Sequence, residues 1–334
     1  MSALPETMNA VIAREAGGPD VLVRIQRPVP RPQAGEVLIR VVAAGINRPD
    51  LMQRSGMPVP TGATDVLGLE AAGVVVAVGE QVDGIGIGDR VMALLNGGGY
   101  AEYCLASAAL CLPIPTGLSL EDAAGVPEAA FTVWHNLFEL GRLQAGDTVL
   151  IHGAASGVGT FAIGCAHAAG AKVIATAGGE EKVSALQKLG VWRAVDRHSD
   201  DFVQVIADCT EGRGVDVVLD NVGGPYFARN LAAMAAGGRH VSLSFMQGAT
   251  VELDLQLVMR KGLHLTSSTL RPKSQEEKAR LALAVREGLL PWIAAGKVRP
   301  IVYARLLLHE AAEAHRLLEA NANVGKVLLS ISEP

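Results

Sequence analysis

Residues 153–159 read Gly-Ala-Ala-Ser-Gly-Val-Gly. Glycines at this spacing let a backbone pass close to a ligand, and a helix that starts behind them offers N–H groups with no partner of their own. Together these make a site for a pyrophosphate. The dinucleotide fingerprint G-x-G-x-x-G is present with its first glycine replaced by Ala154 and its third position by Ser156. In a chain with 38 glycines such a segment is weak on its own. Its surroundings carry the argument. An apolar run, Val149 to Ile151, precedes the turn; an apolar helical segment follows it, and then a second run, Val173 to Ala175. That is a βαβ unit, as the motif requires. Val158, Ala162, Cys165, Ala166 and Ala169 share one helix face, with small side chains that allow close packing. Ser156, Gly157, Val158 and Gly159 are therefore the expected phosphate contacts.

Nicotinamide enzymes that use NAD usually place an acid about 20 residues further on, against the ribose 2′-hydroxyl. Here the second strand ends in Thr176-Ala177-Gly178-Gly179, with no acid. Glu180 and Glu181 follow as the start of the next helix, where acids suit the helix dipole. Lys182 lies close by, and Arg197 ends the third strand. An uncharged strand end at Gly178 flanked by Lys182 and Arg197 predicts a 2′-phosphate, hence NADPH.

The elements that must hold these residues follow from pattern. From Thr148 onward strands are expected at 148–153, 172–177, 194–197, 215–222, 239–245 and 263–270, with helices between them, for example Glu180 to Leu189 and Pro225 to Met234. Six strands with crossover helices make a doubly wound parallel sheet of order 3-2-1-4-5-6. The N-terminal part differs. Met8 to Leu22 and Glu36 to Ala43 read as strands, Arg27 to Pro32 as a proline-rich connection, and a short helix is expected to start near Pro49. Val66 to Val78, Gly84 to Val91 and Tyr100 to Leu105 complete a twisted antiparallel β-domain. Ser119 is the expected cap of a helix from Glu121, and Pro127 to Leu140 reads as helical. Beyond Leu270, Ser274 to Ala295 and Ala311 to Ala320 read as helices and Lys326 to Ser330 as a last strand. They find no place in the six-stranded sheet and are expected to rejoin the first domain. The division is 1–126 with 271–334, and 127–270.

Composition bounds the partners. The chain has 334 residues, 49% of them hydrophobic, a mean hydropathy of +0.29 and a net charge of −5 without a long basic run. That argues against nucleic acid as a main partner. No apolar run reaches the ~18 residues of a membrane span, and residues 1–7 lack a signal-peptide pattern. Cys104, Cys111, Cys165 and Cys209 are scattered, as in a cytoplasmic protein with free thiols.

The turn, together with Ala43 to Asp50 (A-A-G-I-N-R-P-D) and Gly68-Leu69-Glu70, resembles the medium-chain dehydrogenase/reductase superfamily. Within it the chain is similar to the zinc-free quinone oxidoreductases related to zeta-crystallin, in particular the tumour-suppressor-inducible branch. Asn47 to Gly56, Met92 to Tyr100 and Glu319 to Leu328 carry that likeness, which covers roughly residues 8–329. The resemblance implies a GroES-like β-domain and a Rossmann domain, a site in the cleft between them, and a homodimer joined through the Rossmann sheets. It implies Asn47 as the active-site asparagine near the nicotinamide and Thr132 as a cofactor contact. Gly178 and Lys182 would form the 2′-phosphate site, and Asn221 would lie on the adenosine and pyrophosphate side. Ser244, Phe245 and Leu270 would sit near the nicotinamide at the ends of the fifth and sixth strands, with Lys326 as a further candidate. Zinc members carry cysteine at the place of Asn47 and histidine at that of Leu69, so no metal is expected. A family tyrosine after the R-x-G at 54–56 is missing here, and a second one aligns with Arg197.

The implied reaction is hydride transfer from NADPH to a quinone or α,β-unsaturated carbonyl, with no general acid evident in the motifs. The alternatives are an enoyl-thioester reductase and a non-catalytic NADPH-binding protein.

Overall fold

The computed structural model describes residues 4–60 and 62–331. The chain packs as two units. Residues up to 130, 271–294 and those from 300 onward form the first, and 131–270 with 295–299 form the second.

The first unit opens with an antiparallel ribbon of β1 (Thr7–Ala13) and β2 (Leu22–Pro28). The strand expected from Met8 to Leu22 is thus cut short, because Gly17, Gly18 and Pro19 turn the chain. Arg27 and Pro28, expected in a connection, belong to β2 instead. Then come β3 (Glu36–Gly45), α1 (Arg48–Arg54), β4 (Glu70–Val78), β5 (Arg90–Leu94), β6 (Tyr103–Ser107) and β7 (Cys111–Pro113). Asn47 caps α1 in a capping box with Asp50, and Pro49 sits in the first turn. Ser119 caps α2 (Leu120–Ala123), its hydroxyl accepting from Asp122 N at 3.0 Å. The last helix of this stretch is α3 (Pro127–Val133).

The second unit begins with the helix expected through Leu140, which changes winding part-way. From Trp134 to Leu140 the chain winds as a wider π-turn. The Gly141 backbone N–H reaches back five residues to the Asn136 carbonyl, and the Asn136 side-chain Nδ2 donates to the Thr132 carbonyl at 2.8 Å. Strands and helices then alternate: β8 (Thr148–Ile151), α4 (Gly157–Ala168), β9 (Lys172–Ala177), α5 (Glu180–Lys188), β10 (Arg193–Asp196), α6 (Phe202–Cys209), β11 (Val215–Asp220), α7 (Tyr226–Ala233), β12 (Met234–Ser242), α8 (Leu255–Lys261) and β13 (His264–Ser267). The sheet runs β10-β9-β8-β11-β12-β13 with every pairing parallel, the expected 3-2-1-4-5-6 order. Leu150, Ile174, Val195 and Val218 are buried in its core, as strands covered by helices require.

Back in the first unit, Ser274 and Glu277 box the start of α9 (Gln275–Gly288), followed by α10 (Leu290–Ala294), β14 (Val302–Leu307), α11 (Ala311–Glu319) and β15 (Lys326–Ser330). β14 has no counterpart in the sequence expectation. It pairs parallel with β15, which pairs antiparallel with β3, giving the order β14-β15-β3-β4-β5-β7 with β6 also on β3. Val37, Ile39, Val75, Val327 and Leu329 fill the core beneath.

Candidate functional site

In the second unit the site begins at the head of α4. The Ser156 hydroxyl accepts from Gly159 N at 3.0 Å. Helix geometry leaves the amides of Gly157 and Val158 without an intrahelical partner, aimed at whatever lies before the helix. Two glycines are demanded by crowding. A side chain on Gly159 would start 2.6 Å from Ala154 Cα. One on Gly153, which has φ +58°, would start 2.5 Å from Asn221 Nδ2. Asn221 is thereby set against the turn, and the Ser244 hydroxyl donates to its carbonyl at 2.7 Å. Ser156, Gly157, Val158, Gly159, Asn221 and Ser244 form one group.

A second group surrounds Gly178. A Cβ there would lie 2.7 Å from Arg197 Nε and 2.8 Å from His198 Nε2, so both side chains cover this glycine. The Lys182 ammonium is held below its ordinary pKa by burial and then by the Arg197 charge, which puts the two cations side by side. Asp196 Oδ1 accepts from Gly179 N at 3.1 Å and His198 N at 3.0 Å, fastening the ends of β9 and β10 together. Arg197 and Lys182 thus concentrate positive charge at this end of β9. His198 was not among the expected residues; an exposed histidine in a polar loop carries no pattern.

The remaining expected contacts lie off the strand ends assigned to them. β10 stops at Asp196, so Arg197 follows it. β12 stops at Ser242, leaving Ser244 and Phe245 in the loop beyond, with the Phe245 ring exposed beside Gly223. β13 stops at Ser267, and Leu270 lies three residues past it. There the chain leaves the sheet early because Ser268 turns its hydroxyl to Asn136 Oδ1, at 2.7 Å. Thr132 lies in α3, its carbonyl engaged by Asn136.

Under the sheet ends sits a buried group that pattern did not show. Asp220 Oδ1 accepts from Val222 N and Gly223 N, and its Oδ2 from Asn230 Nδ2. Asn230 Oδ1 meets His152 Nε2 at 2.8 Å. Burial pushes the His152 imidazole down to about 4, so it is a neutral packed ring. The group shapes the loop that carries Asn221.

In the first unit Asn47 is almost fully buried at the head of α1. Lys326 Nζ donates to Asn47 Oδ1 at 2.7 Å and also to Glu70 Oε1. Asn47 Nδ2 donates to the same Glu70 oxygen at 2.9 Å, and Glu128 N to Glu70 Oε2 at 2.8 Å. An ammonium can face only an acceptor, which fixes the orientation of the amide. Asn47 is therefore clamped, with only its second N–H, 3.5 Å from the Gly45 carbonyl, loosely engaged. Behind it Asp50 accepts from Asn47 N at 2.8 Å and Gly68 N at 3.1 Å. A directed chain continues inward: Arg54 donates to His315 Nδ1, His315 Nε2–H meets the Tyr100 hydroxyl at 3.2 Å, and that hydroxyl donates to Asp50 at 3.4 Å. Arg54 in turn pairs with Glu319.

Burial raises the Asp50 carboxyl to about 7, against the pull of its two backbone donors. It raises Glu128 to about 8, with the Glu70 charge adding to the effect. His315 falls to about 3 through burial and the neighbouring Arg54. Among the described residues no group of three or more His, Cys, Asp or Glu is placed to hold a metal ion.

A family model described as "Alcohol dehydrogenase GroES-like domain" matches residues 33–116, and one described as "Zinc-binding dehydrogenase" matches residues 157–286. The quinone oxidoreductase of Pseudomonas aeruginosa is 33% identical over 316 residues, covering 94% of this chain and 96% of that protein. The chain belongs to the medium-chain dehydrogenase/reductase superfamily of oxidoreductases. A phenolphthiocerol/phthiocerol polyketide synthase of Mycobacterium tuberculosis is 37% identical over 306 residues. That match takes in 91% of this chain but 14% of the synthase, so the chain spans only a small part of that relative's length. Among solved structures, Escherichia coli quinone oxidoreductase complexed with NADPH superposes with a TM-score of 0.86 at 30% identity, over 97% of this chain and 100% of that one. The CurK enoyl reductase does so at 0.85 and 30%, over 98% of this chain and 100% of that one. No helix among the described residues is long and apolar enough to cross a membrane.

Proposed function

We propose that the protein reduces quinones or other electron-poor α,β-unsaturated carbonyls by hydride transfer from NADPH, without a metal. The observation that carries the NADPH preference is the cover of Arg197 and His198 over Gly178, with Lys182 beside them. Three basic groups around a strand end suit a 2′-phosphate, and β9 itself ends there in Thr176-Ala177 without an acid for a 2′-hydroxyl. The pyrophosphate would rest on Gly157 and Val158 N–H at the head of α4. The cofactor, when bound, supplies the hydride.

Metal independence rests on the donor set around Asn47. An amide and the apolar Leu69 offer no thiolate or imidazole. The Lys326 ammonium already neutralises Glu70 within the cluster, so the site carries its own cation. The clamp on Asn47 leaves it one N–H for an acceptor oxygen.

A second reading, reduction of an enoyl thioester, is favoured by the polyketide synthase match and the CurK likeness. One assay separates the two. NADPH oxidation is followed with 9,10-phenanthrenequinone, 2-cyclohexen-1-one and a short enoyl-coenzyme A thioester. Turnover of the first two supports the main reading, and turnover of the thioester alone supports the second. Tight NADPH binding with no turnover of any of them defeats both.

Two copies are proposed to pair through the second unit. β13 is an edge strand, and Leu255, Met259 and Met246 stand exposed in and near the helix and loop before it. Light scattering at micromolar concentration checks this, and a monomer refutes it.

A further inference from the structure

The reduction proposed above needs a proton as well as a hydride, and the motifs offered no acid to supply it. The structure does. Glu128 opens α3 with its own amide on Glu70 Oε2, so its side chain starts at the Asn47–Lys326–Glu70 cluster. Both Glu70 oxygens are engaged, Oε1 by Lys326 and Asn47 and Oε2 by Glu128 N. This holds Glu70 as a fixed anion. The Glu128 carboxyl accepts no hydrogen bond from another described residue. Four charged groups act on it: Glu70 and Asp50, which favour its protonated form, and Lys326 and Lys278, which oppose them. Lys278 is itself tied to Asn96 Oδ1 at 3.0 Å and to the Arg271 carbonyl at 2.9 Å. Glu128 is only partly buried, whereas Asn47, Asp50, Glu70 and Lys326 are almost fully enclosed, so it is the member of the cluster with access to solvent.

We propose that Glu128 is the proton donor of this reduction, with Glu70, clamped by Lys326 and Asn47, as the fixed anion that keeps the proton on it. The hydride pair forms a C–H bond at the β-carbon of an enone, the C=C π electrons move toward the carbonyl oxygen, and an enolate results. The Glu128 O–H bond then breaks and its proton goes to the α-carbon. The carboxylate left behind takes a proton from solvent. With a quinone, hydride addition gives a hydroquinone anion. Water protonates that anion readily, so the acid matters less.

The inference rests on the NADPH-dependent reading, and the test separates the two. Wild type and Glu128→Gln are assayed with NADPH against 2-cyclohexen-1-one and 9,10-phenanthrenequinone from about pH 6 to about pH 9.5, with NADPH affinity measured separately by fluorescence. General acid catalysis contributes about 100-fold or more. Glu128→Gln is expected to lose about that much kcat on the enone and under ~10-fold on the quinone, with NADPH affinity within ~3-fold. The wild-type enone profile should fall on its alkaline side with an inflection near 8, absent from the variant. Glu128→Asp should recover part of the enone rate. Enone turnover by Glu128→Gln within ~3-fold of wild type overturns the proposal, as does an unchanged alkaline limb or an equal loss on both substrates. Should Glu128→Gln not fold, the wild-type profile alone decides: no alkaline inflection overturns it. A wild type that binds NADPH but reduces neither acceptor defeats the underlying reading, and the proposal with it.

Discussion

The protonation state assigned to Glu128 can be checked on stability alone, without any substrate. Its carboxyl rises from 4.5 to about 8 in the folded protein, first through burial and then through Glu70. The folded chain keeps this proton up to about pH 8, while the unfolded chain releases it above 4.5. Between those values the unfolded state binds fewer protons, so this residue makes stability fall as pH rises, and the fall ends above about 8. At about 1.4 kcal/mol per pH unit for one proton the full window is worth roughly 4–5 kcal/mol. Partial exposure and coupling to Asp50 reduce that to roughly 2–4 kcal/mol. Glutamine cannot ionise and keeps nearly the same shape. The stability of Glu128→Gln relative to wild type should therefore grow steadily from about pH 5 to about pH 8 and then level off. Asp50 titrates in both proteins, so position 128 dominates the difference. Denaturant titrations followed by tryptophan fluorescence at five pH values measure it. A difference that stays constant across the range refutes the assignment of a raised carboxyl at Glu128.

Other perturbations have distinct outcomes. Lys326→Met leaves Glu70 buried without its counter-ion and should cost about 3–5 kcal/mol, and adding Glu70→Gln should restore part of it; denaturant titration of the single and double variants reads both. Arg197→Ala and Lys182→Ala should each weaken NADPH binding by roughly 10-fold, while NADH affinity stays within ~2-fold, as calorimetry would show. Gly159→Val must push against Ala154 backbone 2.6 Å from the new Cβ. It should cost about 1–3 kcal/mol and abolish cofactor binding, in a thermal melt with and without NADPH.

What could be seen in the sequence was mostly local. The turn at 153–159, the strand after it and the 3-2-1-4-5-6 sheet all follow from glycine spacing and short apolar runs. β14 escaped because its residues are half-exposed in alternation at a sheet edge, where apolar pattern is weak. β2 escaped because its last residue is a proline, which an edge ribbon tolerates. The π-turn after Val133 goes with a side-chain bond from Asn136 to the Thr132 carbonyl, which no periodicity signals. The cluster around Asn47 is the clearest case. Its members stand at 47, 50, 70, 128 and 326, and only tertiary pairing joins them. The resemblance supplied Asn47 and raised Lys326. Nothing in the spacing of Glu70 and Glu128 says that one would be a fixed anion and the other a raised acid.

The pairing of β15 with β3 brings Leu328 opposite Gly45, and Lys326 comes with it. On the ribosome, Glu70 is therefore synthesised well before the ammonium it pairs with. The second unit can complete its parallel sheet by residue 267, but the first cannot close until residues 326–330 have been made. A chain interrupted before that point has Glu70 without its ammonium partner and the 43–45 end of β3 without β15. It would be finished in one half, unfinished in the other and easily recognised by a protease. Strand β15 thus couples synthesis through residue 330 to assembly of the chemistry in the first unit.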